Sequence, residues 1–305
     1  MSGFSQDRLE MTSRLFHQCL MDTDEGAIAR DFIVTERHLD PELFRPYEVG
    51  FCPPGLLYPD RDELVVDGHM WYMRGRLVFT VRDLSGSIIG FNGRMIPECG
   101  DEVWVGLNKQ KGDRRASELY ERWMARKWVN EEFTKKHHLF RLHEVHRDIL
   151  ETGSAVLVEG CMDGVVMHSF GVTNCVSLLG TALTPIHEGL LKRFAEHLVF
   201  CFDSDQAGER TRSERTAEFT DRTPVSGSRT KVGNERNYVM STSAVVLREG
   251  MDPEDALLDD VERPLFLQAV RDLSEKKIDG DVVNLGLDAH RAATMWAIEG
   301  LEITN

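Results

Sequence analysis

The chain has 305 residues, 41% hydrophobic and 29% charged, with a formal net charge of −15. This is the composition of a soluble globular protein with room for two or three domains, and it excludes a surface coated for indiscriminate nucleic-acid binding. No apolar run reaches the roughly 18 residues that span a bilayer, and Met1-Ser2-Gly3-Phe4-Ser5-Gln6-Asp7 has no basic-then-apolar leader, so a cytoplasmic location is expected.

Leu9, Leu15, Phe16 and Leu20 recur at roughly helical spacing, and Asp24-Glu25-Gly26 marks a turn before a second short helix around Gly26–Phe32. Pro and Gly density predicts loops from Phe51 to Leu64. Strands follow at Arg76–Val81 and Ser87–Phe91, joined through the hairpin turn Asp83-Leu84-Ser85-Gly86. Residues 97 to 135 are polar and rich in Lys and Arg, with Trp and Tyr interleaved. A helix is predicted over Leu139–Ile149.

From Ala155 the pattern alternates. Strands at 155–158, 175–179 and 198–202 are separated by helices near Met162–Phe170 and Pro185–Glu196, with a polar helix over about Ala207–Phe219. This order predicts a right-handed, mostly parallel sheet. Residues 222 to 236 read as a loop, Ala244–Leu247 as a fourth strand, and the chain from Pro264 onward as amphipathic helix.

Six cysteines, at 19, 52, 99, 161, 175 and 201, form no Cys-x-x-Cys pair. No zinc ribbon or disulfide framework is indicated, and Cys161, Cys175 and Cys201 read as small buried hydrophobes. His143-Glu144-Val145-His146 is one residue short of the zinc-protease spacing and reads as a polar helix face.

Acids mark the ends of the predicted parallel strands. Glu159 follows the first, with Asp163 four residues on; Asp203 and Asp205 follow the strand at 198–202; Asp252 and Glu254 follow the fourth. An unpaired charge is expensive inside a buried strand, but at its carboxyl end it faces the crevice where open α/β sheets bind ligands. Asp203 and Asp205 share one side of an extended backbone, and Asp252 and Glu254 are expected to do the same. Such acids can hold divalent metal against phosphates; the plainer alternative is solvated loop acids in an acidic protein. Gly160, Gly180 and Gly208 allow backbone to approach phosphate or simply turn the chain. Arg74, Arg76, Arg94, Lys127, Lys135 and Lys136, beside Trp123, Trp128 and Asn130, suit phosphates and unpaired bases, or form a solvated face with Trp128 in the core.

At these residues the chain resembles the DnaG-type primases. Val158-Glu159-Gly160-Cys161-Met162-Asp163, Ser177–Thr184 and Phe202-Asp203-Ser204-Asp205-Gln206-Ala207-Gly208 resemble their TOPRIM domain. Arg74–Asp83, Ile89–Arg94, Lys127-Trp128-Val129-Asn130, Lys135 and Leu139-Phe140-Arg141-Leu142 resemble the amino-terminal part of their polymerase core, and Gly250-Met251-Asp252-Pro253-Glu254 their Asp-Pro-Asp motif. The likeness covers roughly residues 10 to 260.

The resemblance implies an α/β architecture, with an α+β subdomain over 1–150 carrying a basic template groove and a TOPRIM parallel-sheet domain over 151–260; the amphipathic pattern from Pro264 onward makes 261–305 a helical carboxy-terminal segment. It implies a DNA primase that makes short RNA primers on single-stranded DNA with Mg²⁺ or Mn²⁺. Glu159, Asp203 and Asp205 would be catalytic; these three with Asp252, Asp163 and Glu254 would hold or support the metals. Arg94, Lys127, Asn130 and Lys135 would contact the ribonucleoside triphosphate, and Arg74 and Arg76 the template. The sequence departs from the family in Cys161 and Glu254. Neither the family's zinc-binding nor its helicase-binding domain is expected, so no zinc is expected and a replicative helicase is an open partner; a phage or mobile element is the expected source. A TOPRIM-type nuclease and a non-catalytic adaptor binding DNA or a helicase are the competing expectations.

Overall fold

The computed structural model describes residues 6–54, 72–111, 113–130, 133–180, 182–204 and 240–285. The chain divides into two units, Met1–Thr134 and Lys135–Asn305.

In the first unit, α1 (Gln6–Asp22) buries Leu9, Phe16 and Leu20 along one stripe. It is followed by α2 (Ala27–Arg37), and α1 covers β1 (Val49–Cys52), a strand buried at every position. Gly50 permits that contact, since a Cβ there would stand 2.4 Å from the Phe16 carbonyl carbon. β2 (Arg76–Arg82) and β3 (Ile88–Met95) form the expected hairpin. The Asp83 carboxylate organises its turn by accepting from the amides of Ser85 at 2.9 Å and Ser87 at 3.1 Å.

The basic stretch contains α3 (Gly100–Lys111), α4 (Asp113–Met124) and β4 (Trp128–Asn130). The four strands make an antiparallel sheet in the order β1-β2-β3-β4. β1 lies in a segment expected to begin a loop. At four residues it is too short for alternation to register, and burial on both sides removes alternation altogether. On α4 the buried stripe is only Ala116, Leu119 and Trp123, outnumbered by charges.

The second unit begins before residue 150, because Phe140 exchanges two backbone hydrogen bonds with Ser177 and α5 (Leu142–Thr152) packs on the sheet. β5 (Ser154–Val158), α6 (Cys161–Ser169), β6 (Cys175–Ser177), α7 (Pro185–Leu191) and β7 (His197–Cys201) follow the predicted alternation. Then come β8 (Ser241–Val246), α8 (Pro253–Leu258), α9 (Glu262–Lys276) and β9 (Asp281–Asn284). The strand order is β6-β5-β7-β8-β9, with every neighbouring pair parallel. β5 and β7 are wholly buried, as continuous Val, Leu and Phe runs require when helices cover both faces.

Of the segment over 261–305, the described part holds the expected helix α9, while β9 is a strand where helix was expected. α9 packs over β5, β7 and β8, and β9 pairs with β8, so both complete the parallel-sheet unit. The helix expected over 207–219 and the loop over 222–236 lie outside the described residues. All six cysteines are buried as free thiols. No helix among the described residues is long and apolar enough to cross a membrane.

Candidate active site

The chain winds from β5 outward to β6, then crosses to β7 on the other side of β5. That reversal makes a switch point between β5 and β7, where the connections leave in opposite directions and open a crevice. Glu159 directly follows β5, and Asp203 lies two residues beyond β7. Asp252 follows β8, the next strand over.

Glu159 is anchored through its main chain. Its carbonyl accepts from the Gly180 amide at 2.8 Å and the Ser177 hydroxyl at 3.1 Å. Asp163 sits in the first turn of α6, 8% exposed, and accepts from the Gly160 amide at 2.9 Å. Its carboxyl is pushed well above the usual carboxylate range, first by burial and then by the charges of Asp252, Asp203 and Glu254; the Gly160 bond opposes the shift. Asp163 thus feels the negative charge of Asp252, Asp203 and Glu254. Asp205 lies outside the described residues.

Asp252 and Glu254 do not lie side by side on an extended backbone. Asp252 is the N-cap of α8: its carboxylate accepts from the Asp255 amide at 2.7 Å, and Asp255 returns a bond to the Asp252 amide at 3.2 Å. Glu254 is in the first helical turn, 3% exposed. The sequence signal was the Asp252-Pro253 pair, an N-cap residue followed by proline at N1.

Lys135 stands at the same end of the sheet. Its ammonium donates to the Leu179 carbonyl at 2.8 Å, and burial lowers its pKa against the opposing pull of the Cys161 thiol. Leu179 and Gly180 both take left-handed backbone, φ 58° and 68°. That conformation costs a non-glycine residue roughly 1–2 kcal/mol; the Lys135, Ser177 and Gly180 bonds hold it in place.

Three further candidates meet in the first unit. Arg94 on β3 pairs in register with Trp128 on β4, its guanidinium 5.8 Å from the Trp128 ring and 5.7 Å from that of Phe32. Asn130 bonds Asn92 across the same strand pair, and exposed Lys127 offers its carbonyl to the Met95 amide at 2.9 Å.

Arg74 and Arg76 are placed otherwise than an open template groove requires. Both are buried, at 5% and 0% exposure. The Arg76 guanidinium donates to the carbonyls of Tyr72, Arg126, Lys127 and Trp123, so its donors are spent on the fold. The Arg74 carbonyl accepts from the Trp123 indole at 2.8 Å. Two arginines beside a strand read alike from sequence whether they face solvent or neighbouring backbone. On α5, Glu144 pairs with Arg141 and His146 bonds the His143 carbonyl, which accounts for the His-Glu-Val-His stretch.

The donors at the strand ends are carboxylate oxygens, the hard set that suits Mg²⁺ or Mn²⁺, and the crowding at Asp163 is what a bound cation would relieve. Glu159, Asp203 and Asp252 lie beyond the carboxyl ends of β5, β7 and β8, and Asp163 and Glu254 are buried in the first turns of α6 and α8.

Residues 156–256 match the Toprim-like family model. The chain is 27% identical over 225 residues to the DNA primase of Listeria monocytogenes, covering 65% of this chain and 31% of that protein. It is 27% identical over 265 residues to the DNA primase of Halalkalibacterium halodurans, covering 81% of this chain and 38% of that one. It thus spans about a third of the length of these curated relatives. The RNA polymerase domain of Mycobacterium tuberculosis primase DnaG superposes with a TM-score of 0.61 at 24% identity, covering 98% of this chain and 92% of that one. The same domain with double-stranded DNA gives 0.59 at 26% identity, covering 88% and 80%.

Residues 156–256 thus form a Toprim-like domain. More particularly, the chain has the catalytic-core fold of the DnaG-type primases and is similar in sequence to DNA primases.

Proposed function

We propose that this chain is the polymerising core of a DNA primase, joining ribonucleoside triphosphates into short RNA primers on a single-stranded DNA template. What supports the reading is that Glu159, Asp203 and Asp252 follow β5, β7 and β8 around the switch point of a parallel sheet, with Asp163 bonded to the Gly160 amide. Homology to DNA primases supports it.

A divalent cation held there would supply Lewis acidity at the reacting phosphoryl and lower the pKa of the primer 3′-hydroxyl. Glu159, Asp203, Asp252 and, by motif, Asp205 would hold Mg²⁺ or Mn²⁺. Asp163 and Glu254 would support them, and the rigid strand ends would fix the donors before substrate arrives. Arg94, Lys127, Asn130 and Lys135 would contact the triphosphate of the incoming nucleotide, Arg94 as a planar cation held over two rings. Arg76 has no part in this scheme beyond holding the fold.

The test is primer synthesis from ribonucleotides on single-stranded DNA with Mg²⁺ or Mn²⁺, with and without a replicative helicase. Template-dependent RNA of short length is expected. Cleavage of the DNA without synthesis would favour a nuclease, and DNA binding without turnover an adaptor.

A further inference from the structure

The loop after β7 and the loop after β8 carry two of the acids, and a single side chain ties them together. Ser204 follows Asp203. Its hydroxyl lies 2.6 Å from the Arg248 carbonyl and 2.9 Å from the Met251 carbonyl, and it accepts from the Met251 amide at 3.0 Å. Its own amide donates to the Met251 carbonyl at 3.1 Å. The segment bound in this way is a four-residue turn, closed by the Met251 amide on the Arg248 carbonyl at 3.0 Å. Gly250 takes φ 83° at its third position, where a side chain would be strained. Asp252 is the next residue and caps α8.

The far side of the turn is also held. The Arg248 guanidinium is paired with Glu262 at the start of α9, and that glutamate is 1% exposed. The turn is thus fixed between a buried carboxylate on one side and the Ser204 hydroxyl on the other.

We infer that Ser204 is a positioning residue for the cation site, setting the separation of Asp203 and Asp252 by locking the Arg248–Met251 turn to the end of β7. This rests on the reading of the acids as a cation site. Every bond is local to the two loops, and β7 and β8 are already joined along their length by the sheet ladder. Losing the hydroxyl therefore relaxes the loops and leaves the sheet intact. Partners that orient ligands in this way contribute about ten- to a hundredfold in metal affinity.

The experiment is calorimetric titration of the full chain with Mn²⁺ alone, with thermal unfolding of each metal-free variant alongside. Wild type is expected to bind, Asp203→Ala to lose binding, and Ser204→Ala to bind about tenfold or more weakly with its metal-free unfolding temperature little changed. Ser204→Thr, which keeps the hydroxyl, is expected to recover wild-type affinity. Should Ser204→Ala fail to fold, Ser204→Cys is read in the same way, since a thiol is a poor hydrogen-bonding group. If wild type binds, Asp203→Ala does not, and the hydroxyl-free variant binds like wild type, the positioning role is overturned while the cation site stands. If wild type binds no Mn²⁺, the cation site fails and the positioning role with it.

Discussion

The Arg76 guanidinium lies 5.4 Å from the centre of the Trp123 ring and donates to that residue's carbonyl at 3.1 Å. Three more carbonyls, those of Tyr72, Arg126 and Lys127, complete its shell. The cation thus bridges the start of β2, the end of α4 and the approach to β4. Lysine cannot reproduce a planar fork serving several acceptors. Arg76→Lys is expected to destabilise the protein by about 2–4 kcal/mol, since buried carbonyls lose their donors, seen as a lower urea midpoint. Unchanged stability with lost template binding would restore a template role.

Asp203 sits among like charges, and its negative charge helps hold the Asp163 carboxyl above its usual range. Removing that charge relieves repulsion in the metal-free protein. Asp203→Asn is therefore expected to unfold at the same temperature as wild type or slightly higher. Its primer synthesis should fall on the order of a hundredfold or more, because cation binding contributes several kcal/mol of charge stabilisation. A variant that is inactive because it unfolds would assign Asp203 to the fold instead.

Buried histidines give the stability a pH dependence. His197 lies between the hydroxyls of Ser241 at 2.7 Å and Ser243 at 2.8 Å, and burial lowers its pKa, as it does for His168 and His187. A lowered folded pKa means that the unfolded chain takes up protons first. This contribution is full above about pH 6.5 and is lost as pH falls toward the folded value. Asp163, raised by burial, acts in the opposite sense, so the useful readout is a difference. Between pH 7.5 and 5.5, His197→Gln should lose less thermal stability than wild type. An equal or greater loss would contradict the assignment.

The parallel sheet was legible because its strands are continuous apolar runs: Ala155–Val158 and Leu198–Cys201 are buried throughout. Glu159 and Asp203 stood out because each closely follows such a run. What stayed hidden was set by tertiary context. β1 and β9, of four residues each, and β4, of three, carry no periodicity. Arg76 looked like a surface cation because sequence does not show which carbonyls converge on it. Ser204 between two acids was silent, since its partners at Arg248 and Met251 are more than forty residues away.

Cation binding should also appear as stability. A ligand that binds only the folded state adds about 2.7 kcal/mol at a hundred times its dissociation constant. Mn²⁺ should therefore raise the unfolding temperature reversibly with EDTA, and Asp252→Ala should abolish the rise. An equal rise in Asp252→Ala would place the cation elsewhere.

The most direct measurement is anomalous diffraction from a crystal soaked in Mn²⁺. A peak bounded by the carboxylates of Glu159, Asp203 and Asp252 is the predicted result. Those three side chains pointing apart, with manganese bound at other surfaces or nowhere, would contradict it.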